Sequence, residues 1–474
     1  MRKIILLVLP FLLTCKILLI SGCANIIPPT GGPRDTTAPK LVLVNPQNNS
    51  LHFQGNRIVF NFNEFIELKE PRTNITISPV PKMDPLIESK LKTLTIKIRD
   101  SLQPNTTYSI DFGKSIQDVN EGNVLKRFSY TFSTGNYLDS TSFSGKVILA
   151  ATGKSDSTLI AMLYQNMDDS AVIKEKPRYI VHTDSGGHFI FHHLHPGTYA
   201  LYALKDESGS KKYISKSQLF AFASVPALVG DTAGLPVILY AFADTSTAPG
   251  TRIPKKTIKA PIPPPAKTQD KNKRLRVSAN VAEEMLDLQD NPLLAFTEPL
   301  KKFDSTKIHL TDEKFQPLKN VSYRQDSTLK KITIYFPWKI DTRYAIIAEK
   351  EFAEDTLGGK LLRADTISFK TKAEADYGSL RIRFSNLDLS QKPVLQFLQG
   401  DLLRFSRPLT SSTFTEKRFI PGDYELRILF DENGNGKWDP GEFFGKHRQP
   451  EKVMAIKRKL SVRANWDNEP DYVL

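Results

Sequence analysis

Apolar side chains recur at every second position in short runs along most of the chain, which is the period of a strand with one face buried. Between residues 39 and 136 these runs include Ile58-Val59-Phe60-Asn61-Phe62, Ile75-Thr76-Ile77, Leu94-Thr95-Ile96-Lys97-Ile98, Tyr108-Ser109-Ile110 and Phe128-Ser129-Tyr130-Thr131-Phe132. β-Branched and aromatic residues fill them, and turn formers such as Pro46-Gln47-Asn48-Asn49 and Gln103-Pro104-Asn105 separate them. The spacing predicts a β-sandwich over residues 39–136, module A1. A second unit, module B1 over 140–243, centres on Gly187-His188-Phe189-Ile190-Phe191 and the run Leu194-His195-Pro196-Gly197-Thr198-Tyr199-Ala200-Leu201. A strand, a Pro-Gly turn and a strand with an inward Tyr describe a hairpin. Residues 244–274 change character: Pro, Lys, Thr and Ala dominate, with Ile262-Pro263-Pro264-Pro265 at the centre. This composition builds no core and predicts an extended linker.

The pattern then repeats. Leu294-Ala295-Phe296 corresponds to Phe60-Asn61-Phe62, and Lys331-Ile332-Thr333-Ile334 to Thr93-Leu94-Thr95-Ile96. Thr342-Arg343-Tyr344-Ala345-Ile346 corresponds to Thr106-Thr107-Tyr108-Ser109-Ile110, and Pro421-Gly422-Asp423-Tyr424 to Pro196-Gly197-Thr198-Tyr199. The chain therefore reads as a two-module unit used twice. Module A2 covers 275–374 and module B2 covers 376–474. The expected fold class is all-β, with tandem β-sandwiches; the mechanical expectation is that these sandwiches stand in series.

The first 22 residues carry a different pattern. Met1-Arg2-Lys3, an apolar stretch interrupted by Lys16, and Ile20-Ser21-Gly22-Cys23 form a secretory signal with small residues before a cut site. Cysteine directly after Ser-Gly fits a lipobox, in which Cys23 receives diacylglycerol and becomes the first residue of the mature protein. Two or more acyl chains hold a protein stably on a membrane without a spanning helix. Residues 23–38, rich in Pro and Gly, then read as a tether.

The chain holds two cysteines, Cys15 and Cys23. One leaves with the signal and the other carries lipid, so no thiol remains for a disulfide, a zinc knuckle or a nucleophile. The domains must then stand on apolar cores alone. Without Arg2, Lys3 and Lys16, the mature chain keeps a net charge of about +11. That favours anionic surfaces, and in an exported protein it does not point to nucleic acid.

Two resemblances follow from these residues. The A modules resemble the bacterial Ig-like domain of S-layer and other surface proteins. The residues that carry the likeness are Asp35 to Pro39, Asn63-Glu64, Pro104-Asn105-Thr106-Thr107-Tyr108 and Phe132-Ser133-Thr134-Gly135. The B modules resemble the carboxypeptidase-regulatory or transthyretin-like sandwich, through the segment from Gly187 to Tyr199. With Cys23 and the tether, the whole looks like a Gram-negative envelope lipoprotein. The resemblance implies an outer-membrane location, with the periplasmic face preferred because no acidic cluster follows Cys23. These motifs specify fold better than function.

The sharpest candidate for chemistry is Asp431-Glu432-Asn433-Gly434-Asn435-Gly436-Lys437-Trp438-Asp439-Pro440-Gly441-Glu442. It fits the EF-hand loop pattern, with Asp431, Asn433, Asn435, the Lys437 carbonyl, Asp439 and Glu442 as oxygen ligands for calcium. Helices on either side are missing. The alternative is an Asn-Gly hairpin whose side chains cap their own backbone, and on the sequence both stay open. The equivalent stretch in B1, from Asp206 to Ile214, lacks the glycine and the second Asp, and no metal is expected there. His182, His188, His192, His193 and His195 are close in sequence, but parity lets at most two or three converge, and edge or turn positions explain them. Glu64 and Glu298 recur at one strand end of the two A modules and read as structural. Tyr202, Tyr213, Trp338 and Trp466 could stack on sugars, although aromatics in sandwiches are mostly core.

No Gly-x-Ser-x-Gly elbow, phosphate loop or His-Glu-x-x-His occurs. The expectation is a non-catalytic, lipid-anchored scaffold or adhesion protein that presents its Ig-like modules to an envelope protein or a polysaccharide. The rival is a glycan-binding lipoprotein of an outer-membrane uptake system. Clustered exposed Trp and Tyr would favour the rival.

Overall fold

The computed structural model describes residues 34–230, 236–244, 274–281 and 285–474. Cys23, the signal, most of the tether and nearly all of the linker lie outside the described residues. Strands dominate, as the period-two patterning dictates. The α-helices among the described residues are single turns, Pro71–Asn74 and Ala171–Lys174. The chain divides into two compact units. The first holds the residues up to 136 less two short segments, 77–82 and 106–108, and the second holds those segments with 137–474.

Module A1 is a sandwich of a four-stranded and a three-stranded sheet. The first runs Leu41–Asn45, Arg57–Phe62, Thr93–Lys97, Leu86–Lys90, and the second Thr76–Ser78, Thr107–Asp111, Ser129–Ser133. Ile66–Leu68 pairs with Ile116–Asp118 as a small third sheet. Alternation decides which residues go inward: Ile58, Phe60 and Phe62 of one strand are buried, and so are Leu94 and Ile96 of its neighbour. Aromatic edges close the core, with the Phe60 ring 5.2 Å from both Phe112 and Tyr130.

Module A2, in the second unit, repeats this topology strand for strand. Its four-stranded sheet runs Val277–Ala279, Leu293–Phe296, Lys331–Tyr335, Ser322–Gln325. Its three-stranded sheet runs Ile308–Thr311, Arg343–Ala348, Asp365–Lys370, and Leu300–Phe303 pairs with Ala353–Asp355.

The B modules repeat each other in the same way. In B1, Thr141–Leu149 lies between His188–Leu194 and the parallel Val237–Ala241. The facing sheet runs Tyr179–His182, Leu159–Tyr164, Gly197–Lys205, Phe220–Phe222, with Ala227–Val229 as a fifth strand on the start of Gly197–Lys205. In B2, Gly378–Ser385 lies between Thr413–Phe419 and two short parallel strands, Asp467–Asn468 and Asp471–Val473. The facing sheet there runs Leu402–Pro408, Pro393–Gln399, Gly422–Phe430, Lys452–Val462. The Pro-Gly-x-Tyr hairpin is tied identically in both modules. The Tyr199 hydroxyl donates to the His195 carbonyl at 2.8 Å, and the Tyr424 hydroxyl to the Ile420 carbonyl at 2.9 Å. Glycine is needed at 187, where φ is +79° and a Cβ would stand 2.3 Å from the Val147 carbonyl oxygen.

One expectation fails. The B modules do not stand in series, because they share a core. The five-stranded sheet of B1 turns its outer face, with Met162, Tyr164, Tyr202, Phe220 and Phe222, onto Val394, Leu429, Trp438, Phe443 and Val453 of B2. The cause is legible in the strands. All six residues of Leu159–Tyr164 are buried, and a strand apolar on both faces needs a cover on each side. The backbone joins the seam where the Val453 N–H donates to the Ala150 carbonyl at 3.0 Å. Gly153, at φ +68°, lies so close that a Cβ would stand 2.6 Å from the Val453 carbonyl oxygen.

Candidate functional site

The loop over 431–442 leaves the end of Gly422–Phe430 and lies along the seam between the B modules. Left-handed backbone at Gly434 and Gly436, with φ of +75° and +73°, lets it coil tightly. The coil gathers side-chain oxygens. The buried Asp431 accepts from the N–H groups of Gly434, Asn435 and Gly436 at 2.8, 3.1 and 2.6 Å. Asn433 accepts from the Asn435 N–H at 3.0 Å, and Asn435 from the Lys437 N–H at 2.7 Å. The carboxamides of Asn433 and Asn435 both reach Asp439 Oδ2 at 2.6 Å.

Asp431, Asn433, Asn435 and Asp439 therefore converge, and Lys437 contributes backbone to the same coil. Glu442 points elsewhere. Its carboxylate pairs with Lys446 at 3.0 Å, and its backbone bridges to Arg448. The carboxylate that faces the coil is Glu451, which the EF-hand spacing does not select. Its two oxygens accept from the N–H groups of Glu432 and Asp439, each at 3.0 Å. Burial, together with the charges of Asp431 and Asp439, pushes the Glu451 carboxyl above its ordinary range.

The donor chemistry suits a hard cation: three carboxylates and two carboxamides sit within one short loop system. The carboxamide oxygens and nitrogens of Asn433 and Asn435 are interchangeable by rotation, and turning them would present oxygens toward Asp439. As the loop stands, its side-chain oxygens are satisfied by backbone N–H groups, which is the other arrangement the sequence left open. Among the described residues, no group of three or more His, Cys, Asp or Glu is arranged to hold a metal.

Trp438 couples this loop to the seam. It is buried, its indole N–H donates to the Glu451 carbonyl at 2.7 Å, and it belongs to the core shared with B1. Phe443 packs its ring, edge-on or tilted, with centroids within 5.6 Å of those of Tyr202, Phe220 and Phe222. Gln449 donates to the Phe222 carbonyl at 3.0 Å, and His447 meets Asp169 at 2.5 Å. Sequence reasoning missed Phe443, Gln449 and Glu451. The available signals were an apolar Phe443-Phe444 pair directly after a polar loop and a carboxylate opening the last long strand.

The remaining nominated residues are dispersed. His188 sits beside Asp184 at 3.3 Å, whereas His193 and His195 both meet Asp139. Burial and the neighbouring Asp118, Asp35 and Glu121 push the Glu64 carboxyl up. Tyr202 and Tyr213 are buried, and Trp338 is half-buried against Phe336, Tyr344 and Phe369. Of the four aromatics nominated for sugar stacking only Trp466 is exposed, at 61%, under the Arg463 guanidinium.

A missed repeat lies in the A modules. Asp118 accepts from the N–H groups of Glu121, Gly122 and Asn123, and its counterpart Asp355 from those of Leu357 and Gly359. Each caps the turn after the short third-sheet strand.

Residues 35–134 match the family model of the bacterial Ig-like domain. No curated protein matches the chain significantly in sequence. Among solved structures, the chain is similar to the TIE protein of Bacillus anthracis at 11% identity, covering 94% of this chain and 75% of that one, with a TM-score of 0.16. A surface-layer protein is similar at 11% identity, covering 92% of this chain and 54% of that one, with a TM-score of 0.15. A native α2-macroglobulin fragment from Escherichia coli, spanning three of its domains, is similar at 12% identity, covering 39% of this chain and 71% of that one, with a TM-score of 0.19. At such scores the likenesses carry no functional weight. The Ig-like assignment rests on the family model and on the sandwich topology of A1.

Proposed function

We propose that the chain is a non-catalytic cell-envelope scaffold. Lipid on Cys23 holds it on the outer membrane, on the periplasmic face, and its Ig-like modules meet an envelope protein or a polysaccharide. The observation that carries this reading is the seam. Duplicated sandwiches whose B modules share one core make a stiff platform for presenting loops and sheet edges, and such repetition suits an extended binding surface better than a single reaction centre. The B modules, with their tied Pro-Gly-x-Tyr hairpins, are similar to transthyretin-like sandwiches on this reading. Among the described residues no helix is long and apolar enough to cross a membrane.

Burial of Tyr202 and Tyr213 and the packing of Trp338 favour the scaffold over the glycan-uptake rival, which needs an exposed aromatic face. As part of the same reading, the 431–442 loop takes calcium through Asp431, Asn433, Asn435, the Lys437 carbonyl and Asp439. The expected sixth position, Glu442, gives way to Glu451. The ion's contribution is charge neutralisation and stiffness at the seam.

Crosslinking in intact cells, followed by purification on this protein, tests the reading. A discrete envelope partner or polysaccharide recovered with the wild type, and lost when surface loops of A1 or A2 are replaced, is the expected result. Recovery of no crosslinked species under conditions that capture a known envelope complex removes the scaffold reading.

A further inference from the structure

A cavity of about 480 Å³ opens at the seam between the B modules, with Lys154, Asp401, Glu425, Arg427, Lys457 and Lys459 around it. Its apolar shelf comes from Leu398 and Ala455, on the same face of the sheet as Arg427. The unusual member is Arg427. It is only 4% exposed and forms no ion pair among the described residues. Its two hydrogen bonds there go to neutral oxygens, from Nε to Gln396 Oε1 at 2.6 Å and from Nη1 to the Ala151 carbonyl at 3.2 Å. Burial without a counter-charge pulls its guanidinium down to about 10. A buried cation is costly unless an anion accompanies it.

Neither carboxylate of the cavity, Asp401 or Glu425, pairs with Arg427 among the described residues. Glu425 is already taken by Lys154 at 3.4 Å and Lys459 at 3.3 Å. Lys457, exposed at the rim, forms no ion pair among the described residues. Four cations and two carboxylates leave the cavity with two positive charges in excess. A monoanion leaves one of these unbalanced, whereas a dianion balances both. A planar guanidinium and mobile ammonium groups on one wall are the donor set that recognises phosphoryl oxygens. The apolar shelf accommodates a short carbon body.

We propose that this cavity binds a phosphate monoester, with the phosphoryl group between Arg427 and Lys457 and the carbon body on the shelf. Residues from both B modules line it, Thr152 and Lys154 from B1 and the others from B2. A ligand there bridges the seam. The site is independent of the scaffold reading, and either can fail alone.

The test uses the mature chain prepared without lipid by Cys23→Ser. Calorimetric titration with glycerol 3-phosphate probes a soluble source. Co-sedimentation with phosphatidylcholine vesicles, with and without phosphatidic acid, probes a headgroup source. Binding in either arm, weakened about tenfold in Lys457→Gln and at least as much in Arg427→Gln, supports the site and identifies its source. Lys457 lies at the exposed rim, so its variant keeps the fold, and circular dichroism confirms this for both. No binding in both arms at millimolar ligand overturns the proposal, as does binding that Lys457→Gln and Arg427→Gln leave unchanged.

Discussion

Trp438→Ala isolates the claim that B1 and B2 share one core. The indole is 7% exposed, so nearly its whole surface is lost to solvent on folding. An aromatic of this kind buries about 150–250 Å², worth about 4–6 kcal/mol at ~25 cal/mol per Å². The extended unfolded reference makes this an upper bound, and large-to-alanine changes in cores cost about 3–5 kcal/mol. The substitution also frees the Glu451 carbonyl from the indole N–H. A cost of about 4 kcal/mol is the expected value, equivalent to about a thousandfold in an opening equilibrium. Because the chain has several domains, one global midpoint would blur the effect, so the assay is amide hydrogen exchange read by peptide. The informative segment is Phe220–Phe222 in B1, more than 200 positions from the mutation in sequence, whose rings face Phe443. Its protection is expected to fall by two to three orders of magnitude, roughly matching the loss in Lys452–Val462. Trp438→Phe, which keeps most of the apolar area, is expected to cost only about 1–2 kcal/mol. If protection of Phe220–Phe222 stays within about threefold of wild type while B2 is destabilised, the two modules do not share a core.

Three further outcomes are expected. Tyr199→Phe and Tyr424→Phe each remove one hydroxyl tether and are expected to destabilise the coupled B modules by about 1 kcal/mol, by similar amounts because the bonds match, read as lost amide protection in both modules. In A1, three backbone N–H bonds hold the Asp118 carboxyl below its usual range against the opposing effect of burial. The stability it confers is present above the unfolded carboxylate pKa and is lost as pH falls through the depressed folded value, so acid unfolding of A1 in Asp118→Asn should lose part of its pH dependence. Calcium at millimolar concentration should raise the melting temperature of wild type and slow proteolysis near the loop, while Asp431→Ala removes the response; no response in wild type ends the calcium reading.

Most of the architecture could be read from alternation, because a sandwich strand with one wet face must alternate. Ile58, Phe60 and Phe62 show this, as do Ile332 and Ile334 in the repeat. The internal correspondence was visible for the same reason, since identical sheet orders require the same buried positions. The seam was not read, although Leu159–Tyr164 and Gly197–Lys205 have apolar residues on both parities and thereby call for a second cover. What sequence cannot supply is the identity of the cover, because the Trp438 and Phe443 that provide it lie more than 230 positions away. At the loop, spacing brought out Asp431, Asn433, Asn435 and Asp439, whose convergence is local. It chose Glu442 over Glu451 because the EF-hand spacing presumes a helix after the loop, and here a turn and the strand Lys452–Val462 follow. The cavity around Arg427 left no mark in the sequence, since a single Arg in an apolar strand acquires meaning only when its neighbours across the sheet are known.

The most direct test of the envelope reading is metabolic labelling with radioactive palmitate, followed by fractionation of cells that express wild type or Cys23→Ser. Wild type is expected to carry the label and sediment with the outer membrane, and the variant to carry none and leave the membrane fraction. An unlabelled wild type, or a Cys23→Ser chain retained in the membrane as firmly as wild type, contradicts that reading.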